Sequence, residues 1–118
     1  MNMGIRSLAL AAGCFVLAAS AQAAGNTGTI VEMAIDKDVG GNLAFIKLSG
    51  TKSAYPACQI NRSWDFVLPI VDAADKNMFA MLVAAKAAGH TVLVRGNDSC
   101  ATQFSSIELA LGVRMVNP

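Results

Sequence analysis

The chain has 118 residues, with nine Lys and Arg against eight Asp and Glu, a single His, and 54% hydrophobic residues. That length holds one domain with one modest core and leaves no room for a second. A net charge of +1 without a basic cluster argues against nucleic acid as a partner and against electrostatic adhesion to anionic membranes.

Residues 1–23 read as a leader. "MNMGIRSLALAAGCFVLAASAQAA" offers one cation, Arg6, an apolar run from Leu8 to Ala19, and Ala21-Gln22-Ala23 as a small-x-small cleavage site. The run is about 12 residues, short of the roughly 20 that a membrane span requires. "AAGC", ending at Cys14, is a poor lipidation site, because cutting there would leave "FVLAAS" as a greasy exposed start. A cleaved signal peptide over residues 1–23 is therefore expected, with no membrane span afterwards and a periplasmic or secreted destination. The short, alanine-rich style is bacterial, which makes the Asn-x-Ser sequons at Asn61 and Asn97 irrelevant. Loss of Arg6 leaves eight basic residues facing eight acidic ones, and residues 24–118 form the single domain.

In chain order, "GTIVEMAID" alternates as a strand, "DKDVGGN" reads as a turn, and "LAFIKLSG" is the hairpin partner. "WDFVLPI" is a shorter third strand, ended or edged by Pro69. "DAADKNMFAMLVAAKAAGH" is the one convincing helix, with Asp72 or Asp75 to cap its start and Gly89 at the left-handed C-terminal position. "TVLVRG" is the fourth strand. "SSIELALGVRMV" is the fifth, and its alternation predicts Ile107, Leu109, Leu111, Val113 and Met115 on the buried face, with Glu108, Ala110, Gly112 and Arg114 opposite. The order predicts a mainly β domain with one helix: a five-stranded OB-fold barrel, its helix between strands 3 and 4.

The helix carries two apolar arcs, one with Met78, Met81, Leu82 and Ala85, the other with Phe79, Ala80, Val83 and Ala87. A small barrel covers one arc, so Met78, Phe79, Met81 and Val83 are candidates for an interface with another subunit; the bland alternative is a deep core seam.

With Cys14 removed, Cys58 and Cys100 remain, an even pair in an exported chain, for which one intramolecular disulfide is the default and two buried thiols the alternative. Closing a loop of about 43 residues contributes roughly 4 kcal/mol in the chain-entropy treatment.

No catalyst is expected. His90 sits beside the helix-ending glycine with no nucleophile placed by motif, and "DKDVGGN" puts Lys47 where a calcium loop requires glutamate. No metal-ligand spacing or cofactor fingerprint occurs, so neither metal nor cofactor is predicted. Binding remains: Tyr55, Gln59, Asn61, Arg62 and Trp64 in "YPACQINRSWDF" form a set of aromatic, amide and guanidinium groups suited to neutral hydroxylated ligands such as sugars. Against this, Trp64 also fits the core, and Tyr55-Pro56 also fits a simple turn toward Cys58.

A signal peptide, a β hairpin, Cys58 followed by a tryptophan strand, and then "MFAMLVAAKAAGHTVLVRG" resemble the small secreted OB-fold proteins related to the B subunits of subtilase cytotoxin and typhoid toxin. The resemblance implies a ring-shaped homo-oligomer, a pentamer, with its helices around a central pore and a glycan site on each subunit. It also implies that Thr27, in "NTGTIVEM", occupies the place of the hydroxyl residue that contacts the sugar. The position of Cys100 in "GNDSCATQF" and the shorter chain depart from that pattern. The two functional expectations are a toxin B-subunit-like binding module recognising a glycan or a secreted protein, and an envelope structural or protein-interaction module without glycan binding.

Overall fold

The computed structural model describes Gly13, residues 25–37 and residues 41–116; the leader expected over residues 1–23, apart from Gly13, and part of the turn expected at "DKDVGGN" lie outside the described residues. Five strands and one helix follow in the order β1 (Gly25–Asp36), β2 (Asn42–Leu48), β3 (Phe66–Ile70), α1 (Ala73–Ala88), β4 (Thr91–Cys100) and β5 (Glu108–Met115). The chain is thus mainly β, with its helix between β3 and β4, and the five strands close into a ring in the order β1-β2-β3-β5-β4.

Ring closure depends on β1, which begins at Gly25, earlier than the alternation alone suggests. Its first half, residues 25–29, pairs with β4, and its second half, from Ile30 to Asp36, pairs with β2. A register shift between Ile30 and Glu32 lies where the strand passes from one neighbour to the other, the usual role of a bulge in a tightly curved sheet. The opposite closure is thin: β3 meets β5 at one parallel bridge, Val67 opposite Leu109. Pro69, which has no N–H to donate, lies just past that bridge.

Inside the ring, Ile30, Ala44, Ile46, Leu48, Phe66, Leu68, Val92, Val94 and Ala110 form the main core, which Leu82 and Ala85 of α1 complete. A second core lies on the outer face of β2 and β3, where Leu43, Phe45 and Val67 meet Ala101 and Ile107 from the segment between β4 and β5. Phe45 holds that layer together, with Trp64 at 5.6 Å and Phe104 edge-on at 5.1 Å between ring centroids. β2 is therefore buried on both faces, which is why "LAFI" is a continuous apolar run.

The face assignment of β5 needs correcting. Met115, opposite the buried Val92, keeps the expected face at the strand's end, but Glu108 and Ala110 are buried and Leu111 is 46% exposed. The cause is a register shift against β4: Arg95 faces Gly112 while Gly96 faces Ala110, so Leu111 is the extra residue. One inserted residue moves side chains to the opposite face, and periodicity read across a bulge assigns half the strand wrongly.

The helix ends are built as their sequence dictates. Asp72 is the N-cap and accepts from the Asp75 N–H at 2.8 Å, while the Asp75 carboxylate accepts from the backbone N–H groups of Asp72 and Val71. Gly89 closes the other end in the left-handed region at φ 67°, and the His90 N–H donates to the Ala85 carbonyl at 2.9 Å. Asp72→Ala should destabilise the protein by about 1 kcal/mol, whereas Asn77→Ala on the exposed helix face should stay within about 0.5 kcal/mol, as read from urea unfolding midpoints.

Candidate functional site

The long connection between β2 and β3, residues 49–65, carries most of the sequence candidates, and its conformation is set from below by a buried polar cluster. Lys52 lies inside the protein, 4% exposed, with its ammonium 2.7 Å from Glu108 Oε1. Nζ also donates to Gln59 Oε1 at 3.0 Å and to the Asp65 carbonyl at 2.8 Å, so its three protons have three acceptors. The ammonium also lies 4.2 Å from the Phe66 ring centroid and 4.9 Å from that of Tyr55. Burial pushes the Lys52 amine below its ordinary range, and the adjacent Glu108 and Asp65 charges oppose that shift.

Glu108 is completely buried. Its Oε2 accepts from the Asp98 N–H at 2.8 Å, which draws residues 97–99 of β4 out of the ladder and around the carboxylate. Asp98 takes a φ of 61° to do so, and Gly96 is required because a Cβ there would collide with the Glu108 carboxylate. Asp65 completes the arrangement: Oδ2 accepts from the Leu48 N–H at 2.8 Å and from Asn26 Nδ2 at 3.4 Å, and Asn26 also donates to the Gly50 carbonyl.

The sequence candidates separate against this frame. Gln59 is 2% exposed, and its amide is saturated: Oε1 accepts from Lys52 and the Glu108 N–H, and Nε2 donates to the carbonyls of Asn61 and Trp64. It holds the loop and has no free polar atom for a ligand. Asn61 is half-buried; its Oδ1 accepts from the Ser63 N–H in a local turn, and its N–H donates to the Ser106 carbonyl. Tyr55 and Arg62 come together, with the Arg62 guanidinium 4.3 Å from the Tyr55 ring centroid. Thr27 is exposed on β1, a different element from the connection that carries that pair. Cys58 and Cys100 form the disulfide, Cα–Cα 6.1 Å, which fastens the loop to the end of β4. Trp64 belongs to the second core.

The helix candidates divide too. Met78 and Phe79 pack against the main core, while Met81 and Val83 are 40% and 43% exposed on the open side, among Ala80, Ala84 and Ala87. Two features were not singled out by sequence. One is the buried cluster of Asn26, Lys52, Asp65 and Glu108. The other is a groove of about 590 Å³ between Val71, Ala74 and Met78 on one side and Asn97, Ser99 and Thr102 on the other.

Chemically, the buried cluster is a fastening and not a reaction centre, since the amine is enclosed and every one of its protons is engaged. Among the described residues no group of three or more His, Cys, Asp and Glu is placed to hold a metal, and no helix is long and apolar enough to cross a membrane. No protein-family model, curated protein or solved structure matches the chain.

Removing one member of a buried ion pair leaves the other charge unpaired, at a cost of about 3–5 kcal/mol. Glu108→Ala should therefore destabilise by that amount, and Lys52→Met with Glu108→Leu should recover most of it. Chemical denaturation of the two variants beside the parent protein, with the disulfide intact, measures both effects.

Proposed function

We propose that the mature chain is an exported, non-catalytic binding module with the OB-fold, resembling the B subunits of subtilase cytotoxin and typhoid toxin. The observation that carries the reading is the Tyr55–Arg62 stack on a loop that the disulfide, Gln59 and the Lys52–Glu108 pair all hold still. An aromatic ring with a guanidinium on its face, fixed before a ligand arrives, suits a hydroxylated ligand such as a glycan, because ordering costs are met in folding. The order of the strands around the ring and the helix between β3 and β4 support the fold assignment. A disulfide between the two cysteines of residues 24–118 supports an oxidising compartment, the periplasm or the exterior. On an array of glycans the disulfide-intact protein should bind a defined subset. Tyr55→Ala or Arg62→Ala should weaken that binding about tenfold or more, with Thr27→Ala testing the separate β1 position. Background signal throughout, with no loss in any variant, removes the glycan reading.

A second reading, a protein-interaction module of the envelope, is favoured by Ile60, which stands 84% exposed on the same loop. Ile60→Asp separates the two, since it should abolish capture of a protein partner and leave sugar binding in place.

Assembly into a homo-oligomer through α1 rests on the open face of Met81, Val83 and the surrounding alanines. Met81→Glu with Val83→Glu should convert the assembly to monomers in multi-angle light scattering. A monomeric parent protein at micromolar concentration sinks this part of the proposal.

A further inference from the structure

We infer that the outer face of β4 and β5 is a binding site for an oxyanion group, a carboxylate or a phosphate, held by Arg95 and Arg114. Along β4, Val92 and Val94 point into the core, so Leu93 and Arg95 face outward. The register places Thr27, Leu93 and Arg114 in one outward row across β1, β4 and β5, and Gly25, Arg95 and Gly112 in the next. Arg95 and Arg114 are thus diagonal neighbours on adjacent strands, with backbones roughly 7–8 Å apart, within which two long side chains converge.

Three further observations point to an anion. Leu93, Arg95, Gly112, Val113 and Arg114 line one groove of about 290 Å³, so the two guanidiniums share a concavity. Among the described residues neither arginine has a carboxylate within salt-bridge distance, and the two rows contain no acidic residue. Two like charges on one groove with no counter-charge repel each other, and an oxyanion between them removes that repulsion. Gly112 gives the Arg95 side chain a floor: a Cβ there would stand 3.4 Å from both Nε and Nη2 of Arg95. The Arg95 guanidinium therefore lies along the sheet surface over Gly112, one row from Arg114. Planar forks of this kind bind carboxylate and phosphate in a bidentate manner that an ammonium cannot reproduce. The site does not involve Tyr55 or Arg62 and stands whether or not that loop binds glycans.

Titration of the ¹⁵N-labelled protein at constant ionic strength with glucose, glucuronate and glucose 6-phosphate tests the inference and separates the two anion sources. Expected are saturable amide shifts centred on residues 93–95 and 112–114 with at least one of the anionic sugars, and none with glucose. Arg95→Ala and Arg114→Ala should each weaken binding about tenfold or more, Arg114→Lys should restore only part of the loss, and Lys86→Ala on the helix should change nothing. Both arginines are exposed, so the variants should fold, and retention of the dispersed amide spectrum checks that they do. The inference is overturned by any of three results: no saturable shift with either anion, shifts of equal size with glucose, or shifts that persist unchanged in the Arg95→Ala, Arg114→Ala double variant.

Discussion

The fold turns on a lysine held in a place where lysine is rarely found. Lys52 sits under a 17-residue connection, residues 49–65, that has no strand or helix of its own, and its ammonium reaches β5 through Glu108 and the loop through Gln59 and the Asp65 carbonyl. A connection of that length would ordinarily be mobile, since its own residues bury little apolar surface. Here one cation gives its carbonyls and amides a common centre. Each partner is in turn committed elsewhere: Glu108 to the Asp98 N–H, Gln59 to the carbonyls of Asn61 and Trp64, and Asp65 to the Leu48 N–H. In a low-dielectric interior such a cluster is stabilising only when every member is satisfied, which is why geometry as demanding as the Asp98 φ and the bare Gly96 persists around it.

The disulfide acts on the same connection from the outside. Cys58 to Cys100 fastens its middle to the end of β4, the Asn61 N–H reaches the Ser106 carbonyl, and Trp64 packs with Phe45 and Phe104 in the outer core. The polar cluster below and the aromatic layer beside it lie on opposite faces of β2 and β3, so neither replaces the other. Of the large side chains of the connection they leave outside Arg62, stacked on the half-buried Tyr55, and Ile60. The connection is thereby held from two sides, so the Tyr55–Arg62 stack is set by the fold itself.

Much of this was legible in the residues. The capping box of Asp72 and Asp75, the left-handed Gly89 and the even cysteine pair each follow from local chemistry that tertiary structure had no reason to override. β5 was not legible in the same way. Its alternation identifies a strand, but Leu111 is inserted against β4, and no pattern within one strand reports how its neighbour is registered. The pairing of Lys52 with Glu108, which the alternation of β5 puts on the face away from the core, is hidden for a related reason. Each is an ordinary surface residue by type, and only a contact across 56 positions of chain turns the pair into a core element. Gln59 looked like a ligand-binding amide because amides serve both roles; four internal hydrogen bonds decide between them, and hydrogen-bond partners that distant are not written in sequence spacing. The one hint was Asp65 itself, a carboxylate flanked by Trp64 and Phe66 at the start of a buried strand, where an acid without partners would be costly.

The distribution of cations makes the division of labour explicit. The buried position is filled by lysine, whose compact ammonium takes three acceptors and lies over the Phe66 ring. The described arginines are all exposed, one spread on Tyr55 and two along the β4 and β5 surface. A guanidinium in place of Lys52 would bring five donors to a pocket with three acceptors and leave buried N–H groups unpaired. An ammonium in place of Arg95 or Arg114 would keep the charge and lose the planar fork. The chain thus uses the point charge to hold its fold together and places the directional one where another molecule can meet it.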